Sequence, residues 1–492
     1  MRIKNILYME GKMRKLAFIL IFFVMIPFFS FAEGQADGPA IKPTISVIKA
    51  TMDTTFIKPE DRQDAVCAEF KKLTGITLQV IQPVHAQYEE KLQIMISSGE
   101  IPDIFETNPT KATLYARDGA IVALDSFIAA HPSMKSINPE IIEAYRMKDG
   151  KIYFFPYQLG GGCVGYVRKD WLDKLGLQIP TTYDELVNVF EAFTKNDPDG
   201  NGKADTFGYS ITLMGDGQFQ DMYNRLIMLD ARGIFIKKAG VWVDGFAQPE
   251  MRAAMGRWQD LYKRGVIDTE IFTNNTSMMR EKFFQGRVGL FEYWSGSWGF
   301  KIQRDTKIGS GDQAVVVPMA PIKGARYLNR LAPVLCISSK AKDPKAVFDN
   351  FIGLMYDSGR GQNLFTYGVE GIHWKRSPDG MMQMLPVPSN PKIVWAKTYI
   401  EPVFRLNNMK ISVPLDRETL TSVEIWRANS DTMPLEDGDV VFNRNIGQLH
   451  TLRLEIFSKI TKGELSVDAG LKQYMDRSKN LNVETMIKEL NG

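Results

Sequence analysis

An acidic loop contains the residues of this 492-residue chain whose types and spacing best suit chemistry, and that chemistry is the binding of a hard cation. In the sequence DPDGNGKAD, oxygen-bearing groups fall at alternate positions, as they do in a calcium-binding loop. The candidate ligands are the side chains of Asp197, Asp199, Asn201 and Asp205 and the backbone carbonyl of Lys203. The loop therefore predicts a structural calcium site.

A metal-free turn is the alternative for the same loop. Calcium loops of this spacing end on a bidentate glutamate at the twelfth position, where this chain has Gly208. Aspartate and asparagine also stabilise turns by accepting hydrogen bonds from nearby backbone amides, without any ion. Both interpretations stay open on the sequence.

A second group of residues suits the binding of sugars. Sugar rings have apolar C–H faces edged by hydroxyl groups, so a site for them needs flat aromatic side chains beside polar ones. The sequence YWSGSW places Trp294 and Trp298 among small residues that would make a poor core segment. We predict both as ligand-binding residues, with an ordinary core position as the alternative. Trp171, Trp242 and Trp258 lie on or beside amphipathic patterns, and we expect them in the core.

Enzymatic and redox motifs are missing from the sequence. The 4 histidines are far apart, and no HExxH, GxSxG or CxxC occurs. Residues 160–165 spell GxGxxG, but the following YVRK is typical of a strand and not of the helix that a phosphate site requires. We expect no catalysis and no organic cofactor.

The amino-terminal residues have the order of a secretory signal. Lys12, Arg14 and Lys15 precede the apolar residues 16–29, which are too few for a typical membrane span, and a small-residue site follows. We predict that residues 1–32 are a signal peptide cleaved after Ala32, with translation starting at Met1 or Met13. An uncleaved membrane anchor is the alternative.

The charge and the cysteines of the predicted mature chain exclude several classes. Removal of residues 1–32 takes away five basic residues and one acid, so the formal charge changes from +3 to −1. No basic field is left for nucleic acid. The first cysteine is Cys67, so we expect no lipid anchor, and three widely spaced cysteines form no disulfide framework. The prediction is a periplasmic or extracellular protein, soluble and monomeric.

Strands and helices alternate along the first third of the chain. Between the predicted strands, apolar residues recur at helical spacing and stop at Gly75 and Gly99. The strands are predicted at residues 45–50, 76–81 and 102–106. This alternation predicts an α/β fold with a parallel sheet covered on both faces, and the length of the chain predicts at least two domains.

The same pattern suggests where a ligand contacts the chain. Ligands bind beyond the carboxyl ends of parallel strands, so Asp53 and Asn108, each just past a predicted strand, are candidate ligand-binding residues. Tyr157 and Gln158 precede three consecutive glycines, in a segment that has the character of a chain leaving one lobe for another. We predict them as hydroxyl-binding residues on the hinge side of the site.

Later segments add a capped helix and a helical end. The sequence TYDE from Thr182 is a capping box, in which Thr182 and Glu185 satisfy each other's backbone amides at the start of an amphipathic helix. Residues 314–319 and 332–339 are predicted strands, and about the last 70 residues have a helical pattern with a stop at Gly463.

Several of these segments, in this order, resemble the carbohydrate-binding extracellular solute-binding proteins of family 1, and in particular its larger members, which include alginate-binding proteins. The resemblance extends from about residue 41 to the carboxyl terminus. The segments that carry it are SSGEIPDIF, YVRKDWLDKLGLQIPTTYDEL, DPDGNGKAD, FFQGRVGLF, YGVEGIHW and ITKGELS.

The resemblance implies a periplasmic-binding-protein-like fold, in which crossing hinge segments join two α/β lobes with parallel-type sheets. On this basis the amino-terminal lobe comprises residues 41–156 and 319–356, and the carboxyl-terminal lobe comprises residues 162–317 and 357–492 with a helical tail. Lobe closure is expected to turn about crossing segments near residues 157–162, Pro318 and Tyr356.

The resemblance also implies ligands and partners. A sugar lies between the lobes and is passed to the transmembrane subunits of an ABC permease, and Glu370 and Trp374 of YGVEGIHW stand where family members contact ligand. Alginate-binding members have a related structural calcium site with an acidic residue after the ninth loop position, where this chain has Thr206.

We therefore predict extracytoplasmic binding of an oligosaccharide or other sugar and its delivery to an ABC-type permease. The first alternative is a secreted polysaccharide-acting enzyme, a glycosidase or a lyase, which needs a sugar-lined cleft and two carboxylates. The second is a binding protein for a non-sugar solute such as a peptide, which differs only in the chemistry of its pocket.

Overall fold

The computed structural model of the protein describes the following residues: 44–48, 59–81, 83, 87–157, 160–215, 218–219, 221–376, 378, 382–387, 390–394 and 417–492. The predicted signal peptide and two predicted ligand-binding residues, Asp53 and Gln158, lie outside the described residues.

The strands of the first two thirds of the chain form two larger sheets and several short hairpins, and further short strands lie near the carboxyl terminus. They are β1 Thr44–Ile48, β2 Thr77–Ile81, β3 Ile104–Thr107, β4 Phe154–Pro156, β5 Cys163–Arg168, β6 Phe207–Tyr209, β7 Met214–Gly215, β8 Gln218–Phe219, β9 Phe235–Lys238, β10 Val241–Asp244, β11 Val288–Trp294, β12 Val316–Met319, β13 Tyr327–Asn329, β14 Val334–Ile337, β15 Trp374–Arg376, β16 Met382–Met384, β17 Pro386–Val387, β18 Asn390–Val394 and β19 Ser430–Thr432.

Helices separate the strands and dominate the carboxyl-terminal region. They are α1 Pro59–Thr74, α2 Tyr88–Ser98, α3 Pro109–Arg117, α4 Asp125–Ala130, α5 Pro139–Glu143, α6 Lys169–Lys174, α7 Tyr183–Lys195, α8 Arg225–Met228, α9 Pro249–Lys263, α10 Thr276–Phe284, α11 Ser297–Ser310, α12 Pro344–Val347, α13 Arg360–Tyr367, α14 Arg417–Asn429, α15 Val440–Thr461, α16 Val467–Asn480 and α17 Val483–Asn491. Short helical turns at Pro132–Ser136, Gly245–Ala247 and Phe348–Gly353 complete the described elements.

The first sheet has the strand order β2-β1-β3-β14-β4 and is buried on both faces. β1 pairs in parallel with β2 and β3, whereas β14 runs antiparallel to β3 and β4. Successive side chains of a strand point to opposite faces, so Phe154 packs in one hydrophobic cluster and Phe155 in another. This double burial explains the short, continuously apolar strands of the sequence.

The second sheet has the order β12-β5-β11-β6 and carries most of the larger hydrophobic core. β5 lies antiparallel to both neighbours, and β11 pairs in parallel with β6. Helix α7 lies close against this sheet where two strands have glycine. An ideal Cβ on Gly208 would lie 2.5 Å from the Cα of Phe190, and one on Gly289 would lie 2.1 Å from the Phe193 ring.

We call the first sheet with the elements packed on it the first lobe, and the second sheet with the elements packed on it the second lobe. Two crossing segments connect the sheets. The first runs from the end of β4 at Pro156 to the start of β5 at Cys163. The second, residues 328–333, consists of the last two residues of β13 and the link from β13 to β14. A backbone bridge joins Gly161 to Arg330, and the Arg330 amide donates to the Gly161 carbonyl at 3.0 Å. The two crossing segments therefore touch each other where they pass between the sheets.

A carboxyl-terminal segment, residues 430–439, also contacts both halves. Its strand β19 pairs with β13, Leu435 packs on the hydrophobic cluster of Phe154, and the Asp437 carboxylate accepts from Arg117 and, at 2.9 Å, from the Lys148 amide. The chain then enters α15, which belongs to the core of the second sheet. The segment thus ties the long carboxyl-terminal helices to the first sheet.

Most predictions of local structure are confirmed. The three early strands are present and mutually parallel, α1 and α2 end at Gly75 and Gly99, and Thr182 and Glu185 form the capping box of α7. The chain has the predicted α/β fold with a helical carboxyl-terminal region, and its two main sheets are mixed because strands that return through the crossing segments run antiparallel. The division of the chain into lobes at the stated residues stays a prediction.

The close approach of α7 to β6 gives a first test. A methyl group added by Gly208→Ala would meet the backbone of Phe190, which cannot move aside as a side chain can. We expect the free energy of unfolding, measured by urea denaturation, to fall by about 1–3 kcal/mol. The matched control is Gly256→Ala in α9, where an added methyl meets nothing within 4 Å, so stability is expected to rise by about 0.5–1 kcal/mol. Equal stabilities of the two variants would contradict this packing.

Candidate functional site

The acidic loop joins α7 to β6 at the surface of the second lobe. Asp197 begins it with a φ of 44°, in the left-handed region that aspartate tolerates better than most residues. The Asp197 carboxylate accepts from the backbone amides of Asn201 and Gly202 at 3.0 and 3.1 Å, and the Lys174 ammonium donates to the Asp197 carbonyl at 3.1 Å. The loop is therefore folded around its first carboxylate.

The carboxylates of Asp199 and Asp205 both face the side-chain amide of Asn201. The Asn201 side-chain nitrogen donates to Asp199 Oδ2 at 2.7 Å and to Asp205 Oδ1 at 3.2 Å, so it lies between the two. As the side chains stand, no three acidic, histidine or cysteine groups in the described part of the chain are gathered as metal ligands. An amide turned by 180° would present its oxygen to the same point, and the donor set would then consist of oxygen atoms, which suits calcium.

The pKa values of Asp197 and Asp199 are shifted in opposite directions, as expected for two neighbouring carboxyl groups. Burial, together with a hydrogen bond to Asp197, raises the pKa of Asp199 above its usual value. For Asp197, burial acts to raise the pKa, but hydrogen bonds from Asp199 and from the amides of Gly202 and Asn201 outweigh it and the net shift is downward. The two carboxyl groups thus shift each other's pKa, and a bound cation would offset the negative charge that they bring together.

The structure also explains two departures from the calcium-loop pattern. The Thr206 side chain is buried and donates to the Phe193 carbonyl at 2.8 Å, so this position anchors the loop to α7 instead of facing it. Gly208, at the twelfth position, contacts the α7 backbone and leaves no room for a glutamate. Both residues serve the packing of α7 on the sheet, which leaves the loop with the five ligands that the sequence predicts.

Four aromatic side chains form a cluster at the end of β11, and we call these residues, Tyr223, Tyr293, Trp294 and Trp298, the aromatic cluster. Tyr223 stacks on Tyr293 with ring centroids 5.9 Å apart and meets Trp294 edge to face at 6.4 Å. Trp298, in the first turn of α11, meets Tyr293 edge to face at 4.9 Å. The tyrosines are buried, whereas both tryptophans are half-buried and keep part of their surface open to a ligand.

Cationic side chains lie on this aromatic cluster. The Arg330 guanidinium carbon is 4.2 Å from the centre of the Trp294 ring. Arg280 lies over Tyr293 and Trp298 at 5.3 and 5.0 Å, and the Lys301 ammonium is 4.8 Å from the Trp298 ring. Such contacts are favourable because the negative face of an aromatic ring attracts a cation.

The cluster lies beside both crossing segments. Ser295 donates its amide to the Gly162 carbonyl at 2.9 Å, and an ideal Cβ on Gly161 would lie 3.4 Å from the Trp294 ring. Arg330, on the second crossing segment, covers the same indole. The aromatic side chains therefore lie where the chain passes between the two sheets, the place at which a ligand could contact both halves.

A family model of bacterial extracellular solute-binding proteins matches residues 58–356, more than half of the chain. The chain belongs to this family. Among relatives in sequence, this solute-binding protein is 27% identical over 318 residues to the fructooligosaccharide ABC transporter substrate-binding protein FusA of Streptococcus pneumoniae serotype 4. The match covers 61% of this chain and 57% of that protein, so the solute-binding protein aligns with little more than half the length of this relative.

Solved structures share the fold along nearly the whole length of the solute-binding protein. A solute-binding protein of Bifidobacterium longum infantis, associated with an ABC transporter and described as HMO-binding, superposes with a TM-score of 0.72 at 19% identity and covers 92% of this chain and 98% of its own. The alginate-binding protein AlgQ2, crystallised without calcium ion, superposes with a TM-score of 0.66 at 22% identity and covers 92% and 99%. The fold is thus periplasmic-binding-protein-like, as predicted.

Two predicted site residues lie on the first lobe of the solute-binding protein. Tyr157 is buried at the end of β4 and donates its hydroxyl to the Glu106 carboxylate of β3. Asn108 is the N-cap of α3, and its side-chain oxygen accepts from the Lys111 amide at 2.8 Å. Asn108 thus has a structural role that leaves only part of its amide for a ligand.

Glu370 and Trp374 lie on the turn that follows α13. Trp374 is only 2% exposed, and its indole nitrogen donates to the Gly368 carbonyl at 2.9 Å. Glu370 is exposed and lies 3.9 Å from the Arg376 guanidinium. Helix α13 packs through Leu364 on the first lobe, so this turn belongs to the surroundings of the first sheet.

The structure adds four residues that the sequence analysis did not identify as site residues. Tyr223, Arg280, Arg330 and Trp426 reach the aromatic cluster or the adjoining glycines from separate elements; the Trp426 indole nitrogen would lie 2.3 Å from an ideal Cβ on Gly162. No local spacing marks them, because each meets its partner only through tertiary contacts.

Within the described residues, no helix is long and apolar enough to cross a membrane.

Proposed function

We propose that this solute-binding protein binds an oligosaccharide outside the cytoplasm and delivers it to an ABC-type permease without altering it. The observation that carries the proposal is the aromatic cluster beside the crossing segments, because half-buried indoles such as Trp294 and Trp298 suit the apolar faces of sugar rings. Membership of the solute-binding family and the fructooligosaccharide-binding relative support it.

The remaining contacts are assigned by their chemistry. In our proposal Trp294 and Trp298 hold sugar faces from the second lobe, while Asp53, Asn108, Tyr157 and Gln158 bind hydroxyl groups from the first lobe and the hinge. Tyr157 contributes together with Glu106, since its hydroxyl already donates to that carboxylate. Glu370 and Trp374 complete the proposed set. Such sites combine apolar walls with a few placed polar groups.

Closure of the two lobes is the proposed transport signal. A ligand that contacts both halves binds the closed form more tightly than the open one and so increases its population. The surface created by closure is what the transmembrane subunits of the permease recognise in this proposal. In this proposal the protein acts as a monomer with no nucleic-acid partner. Residues 1–32 direct its export as a signal peptide and are then cleaved, and no lipid anchor holds the mature chain.

A structural calcium ion in the acidic loop is the second part of the proposal. The ion would be held by the side chains of Asp197, Asp199, Asn201 and Asp205 and by the Lys203 carbonyl. When bound, it would neutralise the negative charge of the loop. The carboxylates of Asp199 and Asp205 already face the Asn201 side-chain nitrogen, and the Asp197 carboxylate accepts from the amides of Asn201 and Gly202 in the same loop. A solved structure of similar fold, that of an EF-hand mutant of the Streptococcus pneumoniae substrate-binding protein FusA, supports the proposal, because an EF-hand is a calcium-binding loop.

Removal of both indoles tests the sugar site. In Trp294→Ala/Trp298→Ala we expect a neutral or acidic glycan bound by the wild type to lose more than about 2 kcal/mol of binding free energy, about thirtyfold in Kd, because aromatic anchors dominate such interfaces. Isothermal titration calorimetry measures it, because its signal does not depend on the indoles that the variant removes. Trp242→Phe, in the core of the second lobe, is the control and should keep the affinity. Retained affinity in the double variant, or cleaved glycan after incubation with the wild type, would contradict the proposal.

Small-angle scattering tests closure. Saturating ligand is expected to reduce the radius of gyration of the wild type, because the lobes approach each other around the ligand. The Trp294→Ala/Trp298→Ala variant at the same ligand concentration provides the control and should show no change. A bound wild type with an unchanged radius would refute closure while leaving sugar binding intact.

Calcium titration tests the loop. At about 100 times the dissociation constant, calcium should add about 2.7 kcal/mol to the free energy of unfolding, seen as a higher Tm in calcium than in chelator. Asp199→Ala should remove this difference, since it deletes one of the two converging carboxylates. Asp312→Ala, an exposed acid elsewhere on the surface, should keep it. An identical wild-type Tm in calcium and in chelator would rule out the site.

A further inference from the structure

Among the described residues, the guanidinium of Arg330 has an aromatic partner but no acidic one. It lies 4.2 Å from the centre of the Trp294 ring, and its backbone is fixed by the bridge to Gly161. No carboxylate of the described residues pairs with this side chain, which is half-buried. Partial removal of a cation from water without a counter-ion is unfavourable, and stacking on an indole offsets only part of that cost.

Arg280 repeats the arrangement on the other side of the aromatic cluster. It lies over Tyr293 and Trp298, and its hydrogen bonds go to the hydroxyl groups of Tyr293 and Ser277. This guanidinium also has no carboxylate partner in the part of the chain that the structure describes. Two half-buried guanidinium groups, neither with an acidic partner among the described residues, thus contact different members of the aromatic cluster.

The nearest acid in the sequence does not neutralise them. Glu292 lies two residues before Trp294 on β11, so its side chain points to the same face of the sheet as Trp294 and to the face opposite Tyr293. Glu292 is fully buried and accepts from the Tyr209 hydroxyl and the amides of Arg225 and Leu226 at 2.8–3.0 Å. Its carboxylate oxygens are thus bound by these donors in the core of the second lobe, and Glu292 forms no ion pair with Arg330 or Arg280.

We propose that the oligosaccharide bound at this site is anionic and carries carboxylate groups, as a chain of uronic acids does, with Arg330 and Arg280 as the residues that select it. This inference rests on the proposed sugar-binding function. A guanidinium stacked on a ring keeps its N–H donors at its edge, where a carboxylate can accept two parallel hydrogen bonds. Sugar rings then pack on the part of each indole that the arginines leave open, while the sugar carboxylates pair with the guanidinium groups, an arrangement that a neutral sugar cannot complete.

Matched pairs of glycans provide the test. The probes are short oligogalacturonides, oligomannuronates and hyaluronan fragments, each compared by calorimetry with its own carboxyl-reduced, neutral counterpart. We expect the wild type to bind at least one acidic probe more than about tenfold more tightly than the reduced form. Added salt should narrow the difference, because it screens exposed charge pairs.

Variants identify the residues responsible. Arg330→Gln and Arg280→Gln should each reduce the preference for the acidic member about tenfold or more and leave the affinity for the neutral member nearly unchanged. Arg252→Gln is the matched control, since Arg252 is exposed on α9 and pairs with Asp468 on α16. Circular dichroism melts establish that each variant is folded.

The outcomes separate the two proposals. Equal binding of an acidic probe and its reduced form, or binding of neutral glycans alone, would overturn the anionic ligand and leave the sugar-binding function standing. A wild type that binds no glycan of the panel or of a broad glycan array would reject both. An acidic preference unchanged in both arginine variants would also overturn the assignment.

Discussion

The contact between the two crossing segments is the constraint on which the site depends. Ideal Cβ atoms on Gly160 and Gly162 would lie 2.4 and 2.1 Å from the carbonyl oxygens of Arg330 and Leu328, so only glycine permits this approach of the two backbones. The approach sets the bridge between Gly161 and Arg330, and through it the position of the Arg330 side chain over Trp294. This one backbone contact therefore joins the two crossing segments and also positions Arg330 on the aromatic cluster.

The sheets hold these segments in place from either side. Phe154 and Phe155 pack on opposite faces of the first sheet immediately before the chain crosses, which fixes the direction in which the crossing begins. On the other side, β5 is buried along its whole length and pairs with β11, whose last residue is Trp294. The same strand pairing that builds the second core thus brings the indole to the crossing glycines.

Local features of the sequence were sufficient for much of the fold, but only for part of the site. The capping box at Thr182 and the stop at Gly99 act through neighbours in sequence, and the alternation of apolar segments is enough to predict parallel strands. Trp294 and Trp298 stand out because small residues surround them. Arg330 has no such signal, since its stacking on Trp294 depends on a backbone contact between distant segments. The three consecutive glycines mark a segment between lobes in the sequence, but their close packing against the second crossing segment depends on the tertiary structure.

The carboxyl-terminal segment limits how the lobes can move in the proposed closure. The Asp437 carboxylate accepts hydrogen bonds from the Arg117 side chain and from the Lys148 amide. Strand β19 of the same segment pairs with β13, from which the second crossing segment leads to β14. This segment is a third connection between the lobes, in addition to the two crossing segments. It restricts the proposed closure to a rotation of the lobes about these contacts. Atoms near such an axis move least. The aromatic cluster beside the crossing segments would therefore keep its geometry in both states and receive the ligand first, while the far rims of the lobes complete the enclosure.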